Sequence, residues 1–513
     1  MFKDDVRQDV YRKLREHDLR VFSGILSFEL LVEAAVRAGV RIASSPLNCV
    51  TLVWLGIAAA WNKRSSFVDI LTSTLKMLQD QEHFQHSAFA KDLEKKQRQA
   101  KKRTRTSKHD PYGADPTGVS EEAFAKARQR LPAAFWMELL VLLVERFEAQ
   151  HADRLRFRHF RLLAIDGTRL TLPNENELLN FYGRAKNASG QHCAQAQMVL
   201  LQSPLTRLPV AYRLDALPVG EVTLARQLTR QHVRAGDLVL LDAGYCSYGL
   251  MWEIQNRNAF FCMRLRRGLN LRTLQRLQGT QDRLVRWTPK DSRGQWRREQ
   301  LPPAIDLRRI QYRVPGYRTI ELLTNVLAPE ELSYDDLTRL TSTPGVAEKL
   351  LPGIYHLRWQ IETSYEELKV VQQMDGGFRS KKPAGIAYEV GGHVVLYLLM
   401  RWLILEAALA HDEDPLRISF TNAVEELKNI WQTMSTSSQQ WVEEVLWPRL
   451  LERIADHIVP YRPGRSYPRK KKAKGQATHA GPRNKKVEKK TTKPNPSTSK
   501  AKTKMANAKR KQG

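Results

Sequence analysis

The chain has 513 residues, 42% of them hydrophobic, a formal net charge of +29 and four cysteines. The length fits roughly three domains, and the apolar content excludes a wholly disordered chain. Cys49, Cys193, Cys246 and Cys262 are scattered with no CxxC pair, which argues against a zinc ribbon, a thioredoxin-type site or a disulfide scaffold.

The opening residues are polar and mixed in charge and read as no secretory signal. Residues 1 to about 90 read as helical, with apolar residues near helical spacing at Phe22, Ile25, Leu26, Leu30 and Val36. A basic stretch, 91–108, and a Pro/Gly-rich loop, 110–118, follow. Helices are then expected from about 120 and across 135–147. After Arg158 the pattern changes to short apolar runs. Strands are expected at 161–166, 196–201, 208–214, 237–242 and 259–265, with helices at 221–233 and 248–257, an order that predicts a mixed α/β domain with a central sheet. Residues 268–319 hold 12 Lys/Arg and four acids and read as a β-rich insertion whose last strand is 319–327. A long helix is expected from Ile354 to about Met374, with closing helices at 390–411 and 423–432.

Two apolar runs bear on a membrane reading. Residues 47–61 are too short to span a bilayer. Residues 390–410 are long enough but carry His393, Arg401 and Glu406, so both read as core and no membrane is expected.

The charge is uneven. Residues 462–513 hold 19 Lys+Arg against one acid, Glu488, so +18 of the +29 lies there and +11 in the rest. This tail is expected to be disordered without a partner. A basic body with a more basic tail points to nucleic acid, whose phosphates give salt-dependent affinity.

Asp166 and Asp242 each end an apolar run and are closely followed by glycine, Gly167 and Gly244. A carboxylate at a strand end can hold a divalent cation, although Asp-Gly also starts turns. In the helix from Ile354, Tyr355, Arg358, Glu362 and Lys369 are separated by 3, 4 and 7. At about 100° per residue they share one face. Glu366 lies close to it, so periodicity leaves Glu362 and Glu366 both open.

Together, Asp166-Gly-Thr168, Asp242-Ala-Gly-Tyr245 and YHLRWQIETSYEELK resemble the three signature regions of DDE transposases of the insertion sequence 4 group. The family's Y-x2-R-x3-E-x6-K signature falls on Tyr355, Arg358, Glu362 and Lys369 with unchanged spacing. Ala243 stands where the family commonly has arginine. The resemblance covers about residues 110–410. It implies an RNase H-like mixed-sheet core (158–267 and 328–461) interrupted by the β-rich insertion (268–327). A helical N-terminal region with its basic linker (1–109) and a helical segment (110–157) would precede it, and the basic tail (462–513) would follow.

The implied activity is metal-dependent cleavage at transposon ends and strand transfer into target DNA. Asp166, Asp242 and Glu362 would be the catalytic and metal-holding residues, with Mg2+ as cofactor and Mn2+ as substitute. Tyr355, Arg358 and Lys369 would hold phosphate. Trp287 or Trp296 could stack on an extruded base. The implied partners are double-stranded DNA, as terminal inverted repeats and target, and a second copy of the chain in a homodimer. The implied location is the bacterial cytoplasm at the nucleoid. The competing reading is a catalytically inactive, domesticated DNA-binding protein on the same fold.

Overall fold

The computed structural model describes residues 22, 25–41, 47–63, 121–186, 192–289, 299–313, 319–340 and 351–460, with isolated positions at 65, 69–71, 74 and 95. The basic tail, the loop at 110–118, nearly all of the 91–108 stretch and Trp296 lie outside the described residues.

An eleven-stranded mixed sheet organises the chain. Its strands are β1 (Arg156–Phe157), β2 (Phe160–Thr171), β3 (Arg184–Lys186), β4 (His192–Gln202), β5 (Pro209–Ala216), β6 (Asp237–Leu241), β7 (Phe260–Arg264), β8 (Leu271–Gln278), β9 (Asp282–Trp287), β10 (Ile305–Tyr312) and β11 (Ile320–Thr324). The order along the sheet is β3-β4-β2-β6-β7-β11-β10-β9-β8, with β5 on β4 and β1 on β2. Among the described residues, only β2–β6 and β6–β7 are parallel pairs. The continuous apolar run of β6 is buried along its whole length, as expected for a parallel strand covered on both faces. The mixed α/β architecture with a large mixed sheet agrees with the expected class.

Two details of the sheet differ from the sequence reading. The strand carrying Asp166 does not end there. It runs on to Thr171, because antiparallel β4 pairs with it from Ala164 to Thr171. The strands of 268–327 also continue the main sheet, since β11 pairs antiparallel with β7 at Leu322–Arg264 to Thr324–Cys262.

Ten helices of the described residues concern the site and its support: α1 (Phe28–Arg37), α2 (Cys49–Trp61), α3 (Glu121–Arg128), α4 (Ala133–His151), α5 (Glu221–His232), α6 (Tyr248–Gln255), α7 (Gln360–Glu366), α8 (Pro383–Ala410), α9 (Phe420–Thr436) and α10 (Trp447–Asp456). Leu224, Ala225 and Leu228 are the buried stripe of α5, which packs on β4, β5 and β2. α8 is long and apolar enough to cross a membrane, but 83% of its most apolar window is buried inside the protein. It packs against α2, α4 and α10. Gly391 and Gly392 permit that approach. A Cβ on Gly391 would lie 2.3 Å from the Trp136 ring, and one on Gly392 2.5 Å from the Gly56 carbonyl oxygen.

The segment 354–374 is not one α-helix. A 3-10 helix covers Ile354–Trp359, α7 covers Gln360–Glu366, and a π-helical turn covers Glu367–Val371. The π turn is closed by Gln372 N–H donating to the Glu367 carbonyl at 2.9 Å. Its cause is visible in the partners of the buried Glu367 carboxylate. Arg207 donates to it at 2.9 Å, Tyr397 donates at 2.7 Å and Arg401 pairs with it. These contacts hold the chain where an extra residue must be absorbed.

Candidate active site

The β2–β6 register runs from Arg161 opposite Asp237 to Ala164 opposite Leu240. Continued by two places, it sets Asp166 beside Asp242. There β6 has ended and β2 has not, so the two carboxylates stand where neighbouring parallel strands part company. The crevice beyond the carboxyl ends of such strands is a usual ligand position.

The third sequence element is fastened to this point. Buried Arg358 donates to Glu362 Oε1 at 2.9 Å and to Asp166 Oδ2 at 3.4 Å. Tyr365 Oη donates to the Asp166 carbonyl at 2.7 Å, and Tyr355 Oη to the Leu241 carbonyl at 3.1 Å. Lys369 Nζ donates to Thr168 Oγ1 at 3.2 Å and to the Arg169 carbonyl at 2.8 Å, and pairs with Asp375 at 3.1 Å. Of the two glutamates that periodicity left open, Glu362 is the one paired with Arg358 and the one whose charge Asp166 feels.

The other sequence candidates stand differently. Tyr355 is buried and its hydroxyl is engaged by the β6 backbone. Trp287 is also buried, packed edge-on against Tyr248 at 5.2 Å between ring centroids, so its faces belong to the core rather than to a surface that a base could meet.

The electrostatics single out Asp166. Its carboxyl is pushed up to about 6, first by burial and then by the charges of Glu362 and Glu221, against the opposing Gly167 N–H (2.8 Å) and Arg358. Burial, together with the charges of Asp166, Tyr365, Glu221 and Asp242, raises the Tyr245 phenol well above its ordinary range. Sequence reasoning did not single out Glu221, Gln197 or Tyr365. Glu221 opens α5 and accepts from Gln197 Nε2 at 3.1 Å. Its one sequence signal is an acid directly after Gly220 at a helix start.

Among the described residues, no three His, Cys, Asp or Glu side chains converge as a ready metal cage. The Arg358 guanidinium stands between Asp166 and Glu362 instead. The donor chemistry nevertheless suits a hard divalent cation: carboxylates that feel one another's charge in a partly desolvated place, with one guanidinium to neutralise them. Asp166, Asp242 and Glu362 are the residues that would hold it.

Residues 158–399 match the family described as transposase DDE domain. Over that span the chain is similar to transposase DDE domains. The matched span contains Asp166, Asp242 and the whole Tyr355–Lys369 signature. Transposase InsG for insertion sequence element IS4, of Escherichia coli (strain K12), is 27% identical over 318 residues. That alignment covers 60% of this chain and 66% of the InsG transposase, just under two thirds of that relative's length. The resemblance to the insertion sequence 4 transposases is thereby shown. Among solved structures, the piggyBac transposase synaptic complex with hairpin DNA aligns over 88% of this chain and 87% of its own, at 11% identity and a TM-score of 0.35.

Proposed function

We propose that the chain is an active DNA transposase that cuts at the ends of a mobile element and joins the freed ends to target DNA. The observation that carries this reading is the β2–β6 register beside Arg358: two aspartates on neighbouring strands, with Glu362 tied to one of them through a shared guanidinium.

The reaction is phosphoryl transfer. Water attacks phosphorus, the bond to the 3′ oxygen breaks, and that oxygen leaves as a hydroxyl. The 3′-hydroxyl then attacks a target phosphorus and displaces a target 3′ oxygen. DDE transposases generally depend on a divalent metal, and the cations, here Mg2+ or Mn2+, supply when bound the positive charge that such a displacement requires. The chain's own residues set the stage. Tyr365 and Tyr355 fix the helical segment to the backbones of β2 and β6, so Glu362 is delivered over the strand ends. Arg358 neutralises Asp166 and Glu362 in the cation-free chain. Once their charge is taken up, its planar fork is available to a phosphate of the DNA. Lys369, on the π turn, offers a point charge further along the same side. No nucleophilic side chain is needed.

The basic tail and linker would add phosphate contacts, a homodimer would bring two ends together, and the bacterial cytoplasm would be the place of action. The RNase H-like reading of the core, with residues 268–327 as an insertion, belongs to the same proposal.

The test is incubation of the purified chain with Mg2+ or Mn2+ and DNA carrying the element's own terminal repeats. Nicks at the repeat ends and joined products are expected. Binding without any cut would return the chain to the inactive, domesticated reading.

A further inference from the structure

The three signature carboxylates are not the whole acidic content of the site. Around Asp166 stand Asp242, Glu362 and also Glu221, whereas Arg358 is the one cation that ion-pairs with any of these four among the described residues. Glu221 is met by an amide, Gln197 Nε2, and not by a cation. It reaches this position because residue 167 is glycine. A Cβ there would lie 2.8 Å from both Cγ and Cδ of Glu221 and 3.1 Å from the Tyr245 hydroxyl.

Tyr245 supplies an independent observation that points to a ligand at this place. It is only 2% exposed, yet its hydroxyl has no hydrogen-bond partner. A buried hydroxyl without a partner costs about 1–3 kcal/mol. This one is aimed at the place bounded by Gly167 and Glu221 and feels the charges of Asp166, Glu221 and Asp242.

Resting on the transposase reading above, we propose that Glu221 is a fourth acidic residue of the divalent-cation site and that the Tyr245 hydroxyl donates to the water held there. A hydrated cation explains both features. It brings the charge that four carboxylates and one guanidinium lack, and Mg2+ keeps several of its waters, which need hydrogen-bond acceptors and donors around them. Gly167 is then bare because any side chain would displace Glu221 and Tyr245 from the strand.

The experiment is calorimetric titration of the full chain with MnCl2, without DNA, alongside thermal unfolding with and without Mn2+. Glu221→Gln is expected to weaken Mn2+ binding about tenfold or more, and Tyr245→Phe by a few-fold. Neither variant should lower the metal-free melting temperature, Tyr245→Phe should raise it by removing the unpartnered hydroxyl, and Glu425→Gln, a remote exposed carboxylate on α9, should bind Mn2+ as the parent does. Unchanged Mn2+ affinity in Glu221→Gln overturns the proposal, whatever happens to cleavage. If that variant fails to fold, Glu221→Asp keeps the charge at the helix start and shortens its reach. Mn2+ affinity must then fall with the melting temperature preserved, and an unchanged affinity overturns the proposal equally. Asp166→Asn separates the two levels. If it leaves Mn2+ binding intact, the site reading itself fails. If it abolishes binding while Glu221→Gln does nothing, only the inference about Glu221 fails.

Discussion

Strands β2 and β6 carry acidic residues at both ends of their shared stretch, and the two ends are built to opposite rules. At the start, Asp237 lies opposite Arg161 and receives its Nε and a terminal nitrogen at 2.8 and 2.7 Å. It also accepts the Arg234 N–H at 2.8 Å, and Glu148 takes the other arm of Arg161. Every charge there is matched inside the fold. Five residues on, Asp166 has a single 3.4 Å contact to a guanidinium that it shares with Glu362, and Asp242 has no ion pair among the described residues. Aspartate thus serves as a structural clamp at one end of this strand pair and is left without full charge compensation at the other. Internal compensation of charge, more than burial, distinguishes them.

The sharpest way to break this contrast is to neutralise each end in turn. Asp166→Asn or Asp242→Asn should lower cleavage roughly a thousandfold or more, the several kcal/mol that a charge-stabilised displacement would lose, with DNA-end binding still measurable by gel shift. Asp237→Asn should instead cost up to about 3 kcal/mol of stability in chemical denaturation, because it leaves the buried Arg161 guanidinium with Glu148 as its one carboxylate partner. Its folded fraction should cut at the parental rate. Next, Glu362→Gln should lose at least about a hundredfold in cleavage and Glu366→Gln no more than about threefold. The reverse order in a cleavage assay would transfer the role to Glu366.

The two ends should also answer pH with opposite signs. The folded Asp166 carboxyl holds its proton up to about 6, above the unfolded value near 3.8. The folded state therefore binds more protons between those limits, and stability from this group is lost as pH rises through about 6. In the metal-free protein, Asp166→Asn should thus gain about 1–2 kcal/mol at pH 7 and nothing near pH 4. His232, whose carbonyl accepts from Arg161 at 3.2 Å, is pushed down to about 4 by burial and then by Arg213, Arg234 and Arg161. Here the unfolded chain takes the proton first, so stability is lost as pH falls from 6.5 toward 4. His232→Gln should remove about 1–3 kcal/mol of that acid loss. Melting temperatures of the three proteins from pH 4 to 8 decide the matter. The smallest effect is expected for Lys369→Ala: end binding weaker by a few-fold, with a salt slope smaller by about one.

What could be read from the chain beforehand followed from chemistry that demands fixed residue types at fixed local spacing. Arg358 and Glu362 are four residues apart and pair with each other across one turn, so their partnership is a local property. The Asp242 strand was legible because a five-residue apolar run has few alternatives. Glu221 was not, because an acid at a helix start ordinarily answers the helix dipole, and its closeness to Asp166 arises only when α5 packs onto β2 and β4. The placement of Trp287 was equally hidden, since strand alternation does not say which face another layer will cover. The division of 354–374 into three helix types escaped for the same reason: the periodicity argument assumes 3.6 residues per turn throughout, and the π turn is imposed by Arg207, Tyr397 and Arg401 from other elements.

That π turn makes the spacing of the signature a matter of one surplus residue. A plain α-helix through Glu367–Val371 would need one amino acid fewer to reach Gln372. Deleting a single residue between Glu367 and Lys369 would let an α-helical ladder reach Gln372 with its present phase. Lys369, one position nearer Glu362, would leave its place beside Thr168, while Tyr355, Arg358 and Glu362 stayed in place. The six-residue gap between Glu362 and Lys369 works as a phase setting between the acidic and basic halves of the signature, so a shift of one position within it would move the base without touching the acid.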